Sequence, residues 1–155
     1  MRYTFLIFFF ISTKIITFSV NAQNKQLDYA IENFDSKNYK VALPIFHDLY
    51  QNENNDYAKH YLGIIYFFGL GVDRDEEYAT AFWNDTYKNG NEGGILDSGY
   101  MLARYILLNE KSKYFNIYEG AKILENLELH NHPEGTFYNG VYYISIENPS
   151  DPITL

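Results

Sequence analysis

The sequence contains no cysteine among its 155 residues. A disulfide framework, a thiolate metal site and a cysteine nucleophile are therefore excluded. Basic residues are also scarce, because 12 lysines and arginines stand against 20 aspartates and glutamates, for a formal charge of -8. This acidic balance argues against binding to nucleic acid or to an anionic membrane surface, since both are bound through lysine and arginine.

Short motifs of common active sites are missing as well. The turn Gly69-Leu70-Gly71 is not followed by the Lys-Ser or Lys-Thr pair of a phosphate-binding loop. No serine, histidine and aspartate stand in a nucleophile-elbow context. The acidic cluster at residues 73–77 lies at a predicted helix start, where capping and solvation account for its charges. We therefore predict no catalytic residue and no cofactor.

The histidines are the remaining candidates for a metal site. His130 and His132, with Glu134 beside them, are types of residue that bind zinc, but no further ligand converges on them in the sequence. They stand at a predicted helix end, and we predict no metal there. His47 and His60 fall on different predicted helices, where we expect surface or interface residues.

The first 22 residues read as a secretory signal peptide. Arg2 supplies the positive start, residues 5–11 are an unbroken apolar run, and cleavage is expected after Ala22. The alternative is a membrane anchor. Lys14 interrupts the apolar stretch, whereas a span needs about 20 continuous apolar residues. We therefore expect an exported, periplasmic protein without membrane contact after cleavage.

Residues 58–91 hold the clearest pattern in the chain. Two segments show the i, i+3, i+4, i+7 spacing of a helix face: Ala58, Tyr61, Leu62 and Ile65, then Ala79, Phe82, Trp83 and Thr86. A turn at residues 69–72 separates them, and its glycines tolerate a left-handed backbone. Asp75 is placed to cap the second segment, with Glu76 and Glu77 in its first turn. This predicts a helical hairpin.

The hairpin resembles a Sel-one-like repeat, a relative of the tetratricopeptide repeat. The matching positions are Ala58, Leu62-Gly63, Tyr66, Gly69-Leu70-Gly71-Val72, Asp75, Ala79, Phe82 and Gly90-Asn91. Thr86-Tyr87 replaces the small pair of the family pattern. The resemblance implies an α-solenoid that binds other proteins, and it implies no reaction.

Degenerate copies lie on both sides of this repeat. The pair Tyr61 and Tyr66 recurs as Tyr100 and Tyr105 and as Tyr138 and Tyr143, at offsets of 39 and 38. Asn38 precedes Asp75 by 37 residues, and Gly140 is in register with Gly63. These periods are typical of helix-pair repeats.

Further helices follow from the same spacing. A first helix presents Leu27, Ala30, Ile31 and Phe34. A second, capped by Asn38, presents Tyr39, Ala42, Leu43, Phe46 and Tyr50, with a bend or a break at Pro44. A third starts at Asn116 and buries Ile117, Gly120, Ala121, Leu124 and Leu127, and a last one covers about residues 134–146. We predict an all-α solenoid of about three hairpins plus a terminal helix over residues 23–147, with a tail at 148–155.

The binding surface is predicted on the first helix of the central hairpin. Tyr57, His60, Ile64 and Phe67 lie on the face opposite to its core residues. A helix that is apolar on both faces is either packed between neighbours or offered to a partner. Both alternatives stay open, and the second makes these four the protein-contact residues.

We therefore expect a periplasmic protein-binding module without catalysis, whose partner carries a basic or aromatic patch. The resemblance suggests one specific form, an immunity protein that binds and neutralises a secreted toxic effector. The alternatives are an envelope hydrolase acting on cell-wall or antibiotic substrates and a structural fragment of a larger assembly.

Overall fold

The computed structural model describes residues 25–90, 94–109 and 116–147. Helix α1 covers residues 25–35. It is followed by α2 (Tyr39–Glu53), α3 (Asp56–Phe68), α4 (Glu76–Asn89), α5 (Ile95–Leu108), α6 (Ile117–Leu129) and α7 (Pro133–Glu147). The predicted signal peptide and the tail lie outside the described residues. Within the described ranges, the helices are too short or too polar to cross a bilayer.

The helices pack in the order of the chain. From α2 to α7 each helix contacts the next one, and α3 also contacts α5. Helix α1 joins the stack through Phe34, whose ring meets the rings of Phe46 and Tyr61. The predicted all-α architecture is confirmed, and the adjacent pairs are consistent with a small helical solenoid.

Alternate helices begin at the spacing that the tyrosine pairs indicated. Helices α3, α5 and α7 start at residues 56, 95 and 133, which are offsets of 39 and 38. Tyr61, Tyr100 and Tyr138 are therefore each the sixth residue of their helix. In α2, α4 and α6 the eighth residue is Phe46, Trp83 or Leu124, and all three are buried. The sequence period thus has a structural counterpart.

Polar residues mark several helix starts, as predicted. The carboxylate of Asp75 accepts a hydrogen bond from the Tyr78 N–H at 2.9 Å, and Asn116 caps α6 in the same way. Helix α3 ends at Gly69, whose φ of 66° is in the left-handed region that glycine adopts without strain. The helix–turn–helix unit of the central hairpin is therefore confirmed.

The predicted cap of α2 is wrong. The side chain of Asn38 accepts no hydrogen bond from the helix. Its amide instead donates to the Asn33 side-chain oxygen at 3.0 Å, so it ties α1 to the start of α2. A sequence indicates that an asparagine is available at a helix start but does not indicate which partner it takes.

Helix α2 is continuous through Pro44, which faces solvent between the buried residues Ala42 and Phe46. The alternative of a break is therefore excluded, and the bend stays a prediction. The predicted burial of Ile117 in α6 is wrong, because Ile117 is 44% exposed whereas Ile123 is buried. The buried face of α6 therefore contains Gly120, Ile123, Leu124 and Leu127 and leaves out its first residue.

The core consists of two clusters that share helix α4. Phe82 packs into the first cluster, which α1, α2 and α3 also form. Ala79 and Trp83 pack into the second, together with residues of α5 and α6. Helix α4 therefore joins the two halves of the stack together with α3, whose Tyr66 packs against both clusters.

Trp83 lies directly on the backbone of α3. A Cβ atom added to Gly63 would stand 2.2 Å from the indole Nε1, and this N–H donates to the His60 carbonyl oxygen at 3.2 Å. Glycine is therefore required at position 63 for the ring to reach this position. Gly140 is likewise the eighth residue of its helix, but no described atom lies within 4 Å of its Cβ position.

An ion pair also joins α3 to α4. Lys59 is almost fully buried, and its ammonium donates to Asp85 at 2.8 Å and to Asp56 at 3.3 Å. Burial opposes the charge, but the two carboxylates outweigh it and raise the pKa of Lys59 above 10.5. The hydrogen bond from Lys59, and then that from Asn89, lower the pKa of Asp85 below 3.8. The pair is therefore kept until pH falls through the lowered pKa or rises through the raised one.

Gly63→Ala is expected to destabilise the fold by about 1–3 kcal/mol, because the new methyl group overlaps the Trp83 ring. Gly140→Ala is the matched control, since it makes the same change in a helix without that contact. The control should leave stability unchanged or raise it by up to about 1 kcal/mol. Urea denaturation of both variants measures the difference, and equal effects would contradict the contact.

Lys59→Met is expected to cost about 3 kcal/mol, because it leaves the Asp56 carboxylate buried without the ammonium that offsets its charge. Lys88→Met removes an exposed lysine from α4 and should change the free energy of unfolding by under about 1 kcal/mol. Thermal and urea unfolding check both values. A Lys59→Met protein as stable as the control would show that the pair contributes little.

Candidate functional site

The four predicted contact residues form a row on the side of α3 that faces α5. His60 Nδ1 lies 3.0 Å from the Ser98 hydroxyl, and the Phe67 ring lies 5.9 Å from the Tyr105 ring. Ile64 packs against the second core cluster. Tyr57 is 39% exposed at the start of the row. The structure thus brings the four together: His60 and Phe67 contact α5, Ile64 packs on the second core cluster, and Tyr57 keeps exposed area.

His60 is the most perturbed titratable group in this row. Burial lowers its pKa from 6.5 to about 4, against the opposing charge of Asp97. The imidazole is therefore neutral at pH 7. It forms a hydrogen bond with the hydroxyl of Ser98, which is itself fully buried. A buried hydroxyl beside a neutral histidine fits a contact between α3 and α5.

A pocket opens at the end of the row, between α3, the start of α4 and the end of α5. It encloses about 190 Å³. Its lining residues are Phe67, Phe68, Arg74, Glu76, Met101, Arg104, Tyr105, Leu108 and Asn109. Phe68 is 56% exposed and Leu108 is 42% exposed, so two large apolar side chains stand open to solvent at this place. This pocket is the candidate binding site.

One wall of the pocket carries a fixed ion pair. Arg74 forms an ion pair and a hydrogen bond with Glu76, and its guanidinium lies over the Phe67 ring, 5.5 Å from the centroid. Asn109 Nδ2 stands 3.5 Å from the other Glu76 oxygen. These contacts link the turn after α3 to the end of α5, so they shape the opening.

Arg104 is held differently. Its guanidinium lies 5.4 Å from the Tyr100 ring centroid and 5.5 Å from that of Tyr138, so two rings flank the charge. Its Nε is buried and has no hydrogen-bond partner in the described part of the chain. Within the described ranges, no carboxylate forms an ion pair with Arg104. In the part of the chain that the structure describes, this guanidinium is thus held by aromatic rings and not by a carboxylate.

The pocket was not predicted from the sequence. The chain has three arginines, at positions 2, 74 and 104, and two of them line this one site. The scarcity of arginine in an acidic chain was the sequence signal that could have drawn attention to these two residues. Arg74 follows the glycine turn and Arg104 lies on α5, 30 residues later. No pattern in the sequence indicates that residues at this separation line one pocket.

The histidines near α7 each have their own partner. His132 Nε2 lies 3.2 Å from Asp97, and its Nδ1 accepts from the Gly135 N–H at 3.1 Å. His130 Nδ1 lies 2.8 Å from the Asn126 carbonyl oxygen. Among the described residues, no three histidine or carboxylate side chains are grouped as metal ligands. His130 therefore makes a contact within the end of α6, and His132 contacts Asp97 of α5 and the first turn of α7.

Comparison of the chain with protein-family models, with curated proteins and with solved structures finds no match.

Acid is expected to destabilise the protein through His60. The unfolded chain takes up a proton near pH 6.5 and the folded chain only near pH 4, so stability is lost as pH falls across this window. The slope is about 1.4 kcal/mol per pH unit for one histidine. His60→Gln should flatten this slope, whereas His130→Gln, at an exposed position, should not. Urea denaturation at pH 4.5 and 7 measures it, and equal slopes in the two variants would contradict it.

Proposed function

We propose that the chain is an exported, periplasmic helical-repeat protein that binds another protein and catalyses no reaction. The observation that carries the proposal is the pocket, where Phe68 and Leu108 remain exposed on rigid helices beside two arginines. Exposed aromatic side chains and arginine are enriched at the positions that contribute most to protein–protein binding. The helix order and the tyrosine register support the Sel-one-like repeat as the underlying unit.

The use of the polar groups favours binding over catalysis. A hydrolase needs carboxylates or histidines that converge on an open cleft. Here Asp75 caps α4, Glu76 pairs with Arg74, and His60 and His132 contact neighbouring helices. Turnover of a cell-wall or antibiotic substrate that depends on one of these groups would revive the envelope hydrolase.

The specific form that we propose is an immunity protein, which binds and neutralises a secreted toxic effector. The acidic chain favours a partner with a basic or aromatic patch, because opposite charge speeds encounter and disfavours wrong partners. Tyr57, at the exposed end of the α3 row, and Phe68, at the pocket, are the apolar contacts that we assign to this partner.

The product of the adjacent reading frame is the first partner to test. Co-expression of that product in the periplasm should kill cells that lack this protein and spare cells that contain it. Phe68→Asp places a charge at the pocket and should weaken binding by at least about tenfold and abolish protection. Phe137→Asp makes the same change at a residue of α7 that is 65% exposed, and it should keep both properties.

Isothermal titration calorimetry with the purified pair measures the affinity that accompanies protection. Binding by the wild type and by Phe137→Asp, with loss in Phe68→Asp, supports the proposal. A purified pair that neither binds nor protects rules out the immunity function for that partner, and equal binding by all three proteins removes the pocket from the interface.

A further inference from the structure

We propose that the pocket receives an acidic side chain of the partner together with a bulky apolar neighbour of that side chain. The inference rests on the proposed function and names the chemistry that the pocket recognises. It differs from the charge expected for the partner as a whole, because the pocket is locally basic on an acidic protein. A basic or aromatic partner surface would thus contribute one acidic anchor here.

The size of the pocket suits a side chain. Its volume of about 190 Å³ is below the roughly 300–1,000 Å³ of sites for whole small-molecule ligands. One apolar side chain with a carboxylate beside it needs a shallow, partly open site of this kind. Met101, Phe68 and Leu108 supply the apolar wall for the first of these groups.

The charges of the pocket determine which polar group binds beside the apolar side chain. Arg74 already pairs with Glu76 inside the site, so one positive charge is offset. Arg104 is the remaining cation of the lining, and it faces two tyrosine rings rather than a carboxylate in the described residues. A guanidinium forms its strongest hydrogen bonds with carboxylate or phosphate. A protein partner supplies this group as aspartate or glutamate.

The rings around Arg104 also prepare it for binding. Tyr100 and Tyr138 restrict the guanidinium from two sides, so little side-chain freedom is left to lose when an acceptor arrives. The Nε atom of Arg104 is itself shielded from solvent, which strengthens a new ion pair to it and makes a mismatched neutral group unfavourable. The pocket is therefore expected to discriminate charge as well as shape.

Three capped heptapeptides test the inference with the purified protein. Their central pairs are phenylalanine–glutamate, phenylalanine–glutamine and phenylalanine–lysine in an otherwise identical glycine–serine sequence. Amide shifts in ¹⁵N-labelled protein should localise the glutamate peptide to Phe68, Arg104 and Leu108. We expect the glutamine peptide to bind about tenfold more weakly and the lysine peptide not at all.

Two variants and one control assign the effect. Arg104→Gln should remove the preference for glutamate, whereas Lys122→Gln, which deletes an exposed charge on α6, should keep it. If Arg104→Gln does not fold, as judged by circular dichroism, Leu108→Asp supplies the test. A carboxylate at the rim should repel the glutamate peptide and leave the glutamine peptide bound.

Equal affinities for the three peptides, or shifts confined to another surface, overturn the inference. Saturation of the same shifts by sodium acetate at equal concentration also overturns it, because the pocket would then bind any small carboxylate. The proposed function fails separately. A partner that still needs Phe68, with no peptide preference, removes only this inference, whereas peptide selectivity without a protein partner removes only the proposed function.

Discussion

The contact between Trp83 and the backbone of α3 at Gly63 is the constraint on which the rest of the structure depends. It brings α4 close enough for Phe82 to enter one core cluster and Trp83 the other. The same ring lies 5.3 Å from that of Phe67. Since Phe67 lines the pocket, the approach of α4 to α3 also sets one wall of the candidate binding site.

Buried polar residues reinforce the same helix. Lys59 ties α3 to α4 through Asp85, and His60 ties it to α5 through Ser98. A buried ion pair contributes little net stability against an apolar alternative, because desolvation offsets much of the attraction. We therefore read these contacts as fixing the relative position of the helices. Burial of the apolar clusters supplies most of the stabilising free energy.

The sequence predicted what is encoded locally and missed what depends on distant residues. The left-handed turn at Gly69 and the cap at Asp75 are local patterns, and both are confirmed. The tyrosine offsets of 39 and 38 residues form a longer pattern, which the starts of α3, α5 and α7 repeat. Asn38 was misjudged because its side chain bonds to Asn33 of α1, a partner that its place at a helix start does not reveal. The pocket was missed because residues of three helices line it. For the α3 row, the choice between packing on neighbouring helices and contact with a partner depends on the position of α5, which the sequence does not give.

The single tryptophan of the chain allows a direct test of the central contact. In a nuclear Overhauser spectrum, the indole N–H of Trp83 should show strong cross-peaks to the Gly63 α-protons, because the indole Nε1 would lie 2.2 Å from a Cβ built there. It should also be protected from exchange by its hydrogen bond to the His60 carbonyl. A rapidly exchanging indole N–H without cross-peaks to Gly63 would contradict the packing of α4 on α3 and the pocket built upon it.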